Sequence, residues 1–206
     1  MNIAIIACIA ENGALNGFQP SSLDRAFFKA MTVTPDPDAL WATFLQFRTE
    51  HTPIEQWHLW FAKIAQYDME HTSRYNTVLF GRKTFEDTGV WGLATIHLYK
   101  RRVMVLTKAP MTPCHESTLD EAIDYAESLA SPNFWIAGGA QVYTLALAHP
   151  LVKTAYITEV DALAIEEGDN PQFPWPPQGW KLHEETPWLV DRDGQRLRFT
   201  QWKRNG

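Results

Sequence analysis

The chain has 206 residues, 45% of them hydrophobic, which suits a single globular domain with a full core. Its formal net charge of −6 argues against a nucleic-acid partner, and no apolar run approaches the length of a membrane span. The first residues lack a basic segment and a small-residue cleavage site, and there are only two cysteines, so we expect a cytoplasmic protein without a secretory signal.

Runs of apolar or β-branched residues bounded by turn residues predict the strands of this chain. In chain order the expected strands are 2–9, 76–81, 102–107, 133–137, 154–160, 181–189 and 196–203, and the expected helices outside 33–75 are 21–32, 84–89, 118–130 and 140–148. Asp193 and Gly194 are typical of a hairpin turn between the last two strands. Because the first five strands alternate with helical stretches, we expect an α/β fold: a mixed, mostly parallel sheet flanked by helices, with a C-terminal antiparallel hairpin.

Residues 33–75 are predicted to form a helical hairpin inserted within a single domain that spans 1–206. Thr52 and Glu55 predict a capping box at the start of its second helix, with Pro53 at the first helical position. Its aromatic side chains form more apolar surface than a soluble protein leaves exposed: Trp41, Phe44, Phe47, Trp57, Trp60 and Phe61. We therefore expect the hairpin to pack on the body of the protein beside the helix at 21–32 and to wall the neighbouring cleft.

Two segments share a pattern that is typical of phosphate binding. Residues 78–86 read VLFGRKTFE and residues 134–143 read FWIAGGAQVY, so each is an apolar, β-prone run that breaks at glycine and resumes as a helix-compatible stretch. Such a break leaves backbone N–H groups free at a helix N-terminus, where the helix dipole favours an anion. The two motifs, one of them with Arg82 and Lys83, indicate a cofactor that carries several phosphates.

In this order and with these residues, the two motifs resemble the dihydrofolate reductase family. Residues 3–17 resemble the family's first strand and the mobile loop that closes on the nicotinamide. Residues 22–32, SLDRAFFKAMT, resemble the helix that bears the substrate-binding acid. The resemblance covers the chain outside 33–75.

The resemblance implies an NADPH-dependent oxidoreductase that reduces 7,8-dihydrofolate to 5,6,7,8-tetrahydrofolate, in one-carbon metabolism. Dihydrofolate is then the partner, with no nucleic acid and no membrane, and the protein is a monomer or a dimer formed through 33–75. Two alternatives stay open: a reductase of the same fold that acts on another ring, such as a pyrimidine in riboflavin synthesis, and a non-catalytic binding or structural protein that keeps the fold. Asp24 with Phe28 favours folate, since in the family that pair reads a pterin edge and stacks on its ring.

The resemblance places the acid at Asp24, because the family's acid lies four residues before a phenylalanine followed by lysine, here Phe28 and Lys29. A carboxylate can accept two hydrogen bonds from the exocyclic amine and ring nitrogen of a pterin edge. In a mostly apolar pocket its pKa should rise, which favours protonation of the substrate's imine nitrogen. The alternative acid is Asp68, if the helix at 53–72 replaces the usual acid-bearing helix.

The resemblance implies roles for further residues. Thr158 would hydrogen-bond the acid, and Arg101, or its neighbour Lys100 or Arg102, would clamp the substrate's α-carboxylate. The remaining substrate contacts would be Ile6, Phe28, Thr88, Leu93 and Tyr143. The cofactor would contact Cys8, Gly81, Arg82, Lys83, Thr84, Thr107, Lys108, Gly138, Gly139, Ala140, Gln141, Val142 and Tyr143, and Arg82 or Lys83 at a 2′-phosphate would favour NADPH over NADH. The seven histidines show no metal-binding spacing, so we expect no metal site.

One departure from the family concerns the stretch before the acid. The family usually has a Pro-Trp pair there, whereas residues 17–20 read GFQP and lack tryptophan. We expect Trp57 or Trp60 to substitute for it. The altered loop also leaves open the sensitivity to antifolates such as trimethoprim.

Overall fold

A sheet with helices on both faces runs through the protein in this computed structural model, which describes residues 1–15, 18, 21–47, 53–87, 100–109, 115–162, 171–175 and 177–205. The strands are β1 (Asn2–Ala10), β2 (Asn76–Gly81), β3 (Arg101–Leu106), β4 (His115–Glu116), β5 (Asn133–Ile136), β6 (Thr154–Val160), β7 (Trp180–Glu185), β8 (Leu189–Val190) and β9 (Arg196–Arg204). The helices are α1 (Ser22–Val33), α2 (Pro37–Phe47), α3 (Ile54–His71), α4 (Leu119–Ser128) and α5 (Ala140–Ala148), and residues 82–87 are also helical.

The strands pair in the order β4-β3-β2-β5-β1-β6-β9-β7, and β8 also pairs with β9. The first six in this order are parallel to one another, whereas β9 runs antiparallel to β6, β7 and β8. This confirms the predicted α/β fold, with its mostly parallel sheet and its antiparallel C-terminal strands. Within the described part of the chain, no helix is both long and apolar enough to cross a membrane.

Three local predictions need correction. The strand expected at 181–189 is divided into β7 and β8, because Pro187 has no N–H to donate and the Thr186 hydroxyl oxygen instead accepts from the Phe199 N–H at 3.0 Å. The short strand β4 was not expected. α3 begins at Ile54 with Pro53 as its N-cap, so Pro53 is not at the first helical position, while Thr52 and the side chain of Glu55, the expected capping box, lie outside the described residues.

Successive side chains of β1 point to opposite faces of the sheet, and because both faces are buried, the core is divided into two layers. Ile3 and Ile5 point to one face, where they pack with α4 and α5. Ala4 and Ile6 point to the other face, which α1, α2 and α3 cover. The helices that precede β2 in the chain therefore all lie on a single side of the sheet.

The helical segment 33–75 is built into this second layer through an aromatic cluster. Phe27 of α1 lies at its centre, with its ring centroid 4.4 Å from that of Phe199 on β9 and 5.5 Å from that of Phe61 on α3. Phe44 of α2 lies 5.7 Å from Phe199 and 4.7 Å from Trp57 of α3. The members of the aromatic cluster are Phe27, Trp41, Phe44, Trp57, Trp60, Phe61 and Phe199.

Polar contacts at the edge of the aromatic cluster fix α2 on the sheet. The Trp41 indole N–H donates to Glu184 of β7 at 2.8 Å, and the Tyr156 hydroxyl of β6 donates to Asp38 at 2.7 Å. The segment therefore packs on the body beside α1, as its aromatic content predicts. That segment 33–75 also forms a wall of the pocket beside α1 stays a prediction.

Phe44→Ala should destabilise the whole protein, because its side chain is fully buried among rings from α1, α3 and β9. Large-to-small changes of this kind cost about 3–5 kcal/mol. Urea unfolding measures the loss, with Leu59→Ala as the control, since Leu59 lies on α3 with 60% of its surface exposed. Similar stabilities for the two variants would contradict the inclusion of this segment in the core.

Candidate active site

Four adjacent parallel strands place their carboxyl ends along one edge of the sheet: β2, β5, β1 and β6. In sheets of this kind, ligands bind outside the carboxyl ends of the strands. Gly81 ends β2, Gly138 and Gly139 follow β5, and Cys8 and Thr158 lie near the ends of β1 and β6. The strand order therefore brings together residues that are far apart in the sequence.

Asp24 faces this edge from the first turn of α1. The Ser21 side chain caps the helix and accepts from the Asp24 N–H at 2.9 Å, which fixes the start of the helix. Cys8 and Thr158 are register partners on β1 and β6, so their side chains lie next to each other on the α1 face of the sheet. Both side chains lie close enough to the Asp24 carboxyl group to lower its pKa.

The environment of Asp24 perturbs its acidity. Burial raises the pKa of Asp24 from 3.8 to about 6, while the hydrogen bonds from Thr158 and Cys8 and the charge of Arg25 oppose the rise. The carboxyl group is therefore able to hold or release a proton close to neutral pH.

Tyr143 approaches the same place from α5. Its ring is buried, and its hydroxyl donates to the Ile6 carbonyl of β1 at 3.0 Å. Burial, and then the charges of Cys8 and Asp24, raise the pKa of Tyr143 well above its usual value. Ile6 itself is buried, while Phe28 of α1 is half-buried and lies one turn after Asp24.

The rival acid Asp68 lies elsewhere. It is on the last turns of α3, where its side chain hydrogen-bonds with Thr34 and lines an open groove with Tyr67 and His71. Burial raises the pKa of Asp68, which the contacts with Thr34 and His71 oppose. The structure thus brings Asp24, and not Asp68, together with Thr158.

Arg101 lies at the other end of α1. Its guanidinium is buried and donates from Nη1 to the Thr32 hydroxyl at 2.6 Å, two turns after Asp24, and burial lowers the pKa of Arg101 to about 10. Arg102 instead donates to the Leu129 carbonyl at 3.1 Å, and Lys100 to the Thr72 carbonyl at 3.5 Å. Arg101 therefore contacts α1 directly through Thr32.

The two glycine motifs meet at the ends of β2 and β5. The Gly81 N–H donates to the Gly138 carbonyl at 2.6 Å, and the Gly138–Gly139 peptide bond is cis. A Cβ atom at Gly139 would lie 2.7 Å from Oγ1 of Thr84, and one at Gly81 would lie 2.9 Å from a methyl group of Val142. Only glycine fits at these positions, so the backbone itself forms the surface of the junction.

Two helices begin at this glycine junction. Residues 82–87 follow Gly81, and α5 starts at Ala140 with Gly139 as its N-cap, without a side-chain hydrogen bond to the cap. Backbone N–H groups of the first turn, those of Ala140 and Gln141 included, are thus not used by a capping side chain. This surface fits a group with several phosphates, as the motifs predict.

Basic residues surround the glycine junction. Arg82 and Lys83 are exposed, and Arg82 donates from Nε to Glu86 at 2.7 Å. Lys108 is exposed after β3, where Oγ1 of Thr107 accepts from the Ala109 N–H at 3.1 Å. Thr88 and Leu93, and most of the GFQP stretch at 17–20, lie outside the described residues.

Sequence reasoning missed the anchor at the start of α1. Asp191 accepts from the Ser22 hydroxyl at 3.0 Å and from the Leu23 N–H at 3.1 Å, and its other oxygen lies 2.8 Å from Nε2 of His58 on α3. Burial alone would raise the pKa of Asp191, but these hydrogen bonds lower it to about 2. The only sequence signal was the turn at 193–194. It predicts a hairpin there but does not indicate that Asp191 would contact α1 and α3.

Asp24→Asn should stabilise the protein more at about pH 8 than at about pH 4. The pKa of Asp24 is about 6 in the folded protein and 3.8 for an unperturbed aspartate, so the folded state keeps a proton that the unfolded chain releases over this range. The contribution of Asp24 to stability is then full below the pKa of the unfolded state and is lost as the pH rises through the pKa of the folded state. The amide of asparagine does not titrate.

The gain in free energy of unfolding should therefore be larger by about 1–3 kcal/mol at the higher pH. Denaturant unfolding at the two pH values measures it. Asp124→Asn, which removes a carboxylate from the exposed side of α4, is the control for the loss of one negative charge. A gain that is equal at both pH values would show that Asp24 is not buried as a carboxylate.

Comparisons with known proteins agree with one another. The family model described as dihydrofolate reductase matches residues 57–204. The protein named dihydrofolate reductase from Mycobacterium leprae (strain TN) is 34% identical over 88 residues, which are 43% of this chain and 50% of that protein. The one from Mycobacterium tuberculosis (strain ATCC 25618 / H37Rv) is 28% identical over 130 residues, 63% of this chain and 76% of that protein.

The extent of these matches matters for the site. The chain spans half the length of the M. leprae relative in the aligned region. The family match begins inside α3, so β1, α1 and α2 precede it. It therefore does not cover Cys8 and Asp24, whose place at the site is given by the structure. The match nevertheless takes in most of the chain, with both glycine motifs and Thr158, and the chain belongs to the dihydrofolate reductase family.

Proposed function

We propose that the protein is an enzyme that reduces 7,8-dihydrofolate to 5,6,7,8-tetrahydrofolate with NADPH. The observation that supports this most directly is the Asp24 carboxyl group, buried beside Thr158 at the strand edge that also carries the glycine junction. Family membership supports the same reaction. A cytoplasmic location and a monomer, or a dimer through 33–75, stay predictions.

The role of Asp24 follows from its acidity and its surroundings. As a carboxylate it accepts hydrogen bonds from the amine and ring nitrogen of the pterin edge, with Thr158 holding its orientation. With a pKa of about 6 it is partly protonated near neutral pH, so it favours delivery of a proton to N5 of the substrate, directly or through water. Phe28, one turn further along α1, offers a ring face on the same side.

The glycine junction and its basic surroundings suit NADPH. Gly81, Gly138 and Gly139 let the cofactor's phosphates approach the backbone, and the starts of the two helices offer N–H groups to them. Arg82 and Lys83 would pair with the 2′-phosphate that distinguishes NADPH from NADH. When bound, NADPH supplies the hydride that C6 of the substrate receives.

Arg101 would bind the α-carboxylate of the substrate's glutamate. The Thr32 hydroxyl holds one nitrogen of the guanidinium and thereby fixes the plane of the group. A planar guanidinium suits a carboxylate because it can donate two parallel hydrogen bonds. Asp24 and Thr32 are on the same helix, so the head and the tail of the substrate would be bound at a fixed spacing.

Asp24→Asn should lower kcat/KM for dihydrofolate by about 10²-fold or more at neutral pH, because a proton-transfer group is lost. The assay follows NADPH oxidation with dihydrofolate present. Asp68→Asn is the matched control, since it makes the same change at an aspartate of α3, and it should keep near-normal activity. A large loss in Asp68→Asn alone would transfer the role to Asp68. If the unmodified protein oxidises NADPH with a pyrimidine substrate but not with dihydrofolate, the proposed function is wrong.

Replacing both Arg82 and Lys83 with alanine should weaken NADPH binding and leave NADH binding nearly unchanged. Charged hydrogen bonds are worth about 1.5–3 kcal/mol each. Because Arg82 and Lys83 are exposed, the loss of binding free energy for NADPH should lie near the lower end of the range for two such bonds. Titration with each cofactor gives the dissociation constants, and Lys63→Ala, on the exposed side of α3, controls for loss of positive charge. Equal losses for the two cofactors would show that the pair does not read the 2′-phosphate.

A further inference from the structure

A polar cluster at the start of α1 has no part in the mechanism described so far. It joins three elements that are distant in the sequence: Ser22 begins α1, His58 lies on α3, and Asp191 directly follows β8. The side chain of Asp191 is fully buried, and that of His58 is only 16% exposed. Taking a carboxylate out of water costs free energy that apolar packing at the same place would not, which points to a role besides holding the fold together.

The Asp191 carboxylate accepts from four donors. One oxygen accepts from the Ser22 hydroxyl at 3.0 Å and from the Leu23 N–H at 3.1 Å. The other accepts from the Arg192 N–H at 2.7 Å and lies 2.8 Å from Nε2 of His58. Burial would raise the pKa of Asp191, but the hydrogen bonds hold it at about 2, so the group is an ionised acceptor. Nε2 of His58 therefore carries the hydrogen in this contact.

These contacts fix the turn that bears Asp24. The first N–H groups of a helix have no partner inside the helix. Here the Leu23 N–H donates to Asp191, and the Asp24 N–H donates to the Ser21 side chain at 2.9 Å. Leu23 itself is fully buried, so the backbone next to Asp24 is held by packing as well as by hydrogen bonds. A displacement of Asp191 would therefore displace the acid.

His58 links this turn to segment 33–75. Its neighbour Trp57 is buried in the aromatic cluster, where its ring centroid lies 4.7 Å from that of Phe44 on α2. The packing of α3 on α2 thus sets the position of the imidazole. The contact of the imidazole with Asp191 transmits that position to the start of α1.

We propose that Asp191 and His58 are positioning residues for the catalytic acid: the Asp191 carboxylate, held by His58, fixes the first turn of α1 and thereby places the Asp24 carboxyl group against the substrate. The catalytic consequence rests on the proposed function, in which Asp24 binds the pterin edge. Placement matters because a displacement of about 1 Å can cost about 10²-fold in rate.

The first experiment measures the anchor in the ligand-free full chain by hydrogen exchange and NMR. In Asp191→Ala the Leu23 amide should exchange at least about tenfold faster, because its acceptor is gone. Amides of β1, which is paired on both sides, report global unfolding and correct for it. Asp193→Ala removes an exposed carboxylate from the same turn and is the matched control. Equal exchange of the Leu23 amide in the two variants, after the correction, would show that Asp191 does not hold the turn and would overturn the proposal.

The second experiment asks whether Asp191 acts through Asp24. Asp191→Ala should lower kcat for dihydrofolate reduction by about tenfold, with KM for NADPH unchanged, because the glycine junction lies at the ends of β2 and β5. In an Asp24→Asn background the same substitution should change kcat by less than about twofold, because no carboxyl group is left to place. Equal losses in the two backgrounds would show a general structural role and overturn the proposal.

His58 is tested by a loss and a rescue. His58→Leu removes the donor but leaves the charge of Asp191 in place, so it separates anchoring from electrostatics. It should lower kcat by about threefold or more. His58→Gln keeps an N–H donor of similar reach and should restore the rate. Full activity in His58→Leu, or equal losses in the two variants, would reject the role of His58. If Asp191→Ala does not fold, His58→Leu takes its place in both experiments under the same criteria.

The outcomes separate this proposal from the proposed function. If the unmodified protein does not reduce dihydrofolate, the proposed function fails, and the positioning role fails with it. If the unmodified protein is active but the loss in Asp191→Ala is the same with and without the Asp24 carboxyl group, the positioning role alone is rejected.

Discussion

A carboxyl group in a poorly solvated crevice needs a rigid support, and in this protein the support is α1. Its first turn is held by Asp191, which accepts from the Ser22 hydroxyl and the Leu23 N–H. Its last turn is held by the buried side chain of Asn76, whose amide donates to the Thr34 carbonyl at 2.7 Å and to the Thr32 carbonyl at 3.0 Å. Because both ends are fixed, Asp24 cannot turn towards solvent and takes its partners from β1 and β6. The same contacts of Asp191 and Asn76 with the ends of α1 also hold Thr32 against Arg101.

The helical segment 33–75 supports α1 along its length. Phe27 contacts both Phe61 of this segment and Phe199 of the sheet, so the aromatic cluster fills the space between α1, α3 and β9. Removing the segment would expose the core, which makes it a structural part of the site although no residue in it has been assigned to the chemistry. The family match begins inside this segment, at residue 57.

Features that depend on local chemistry were predictable from the sequence. The glycine breaks after residues 80 and 137 end apolar runs and start helices, and the structure has both, with α5 at the predicted bounds. Features that depend on distant partners were not. The contact of Asp191 with His58 and Ser22 joins three elements that no periodicity links. The position of Cys8 beside Thr158 likewise depends on the register of β1 against β6.

The anchoring of α1 by Asp191 also bears on the order in which the protein is made. The helix is translated early, but its N-terminal partner belongs to the turn between β8 and β9, and β9 lies between β6 and β7 in the sheet. Contacts of such long sequence separation form late, because the loops that they close are long. Until β8 and β9 have been synthesised, α1 therefore lacks the residue that fixes its first turn, and the helix that bears Asp24 is fully anchored only after these strands have joined the sheet.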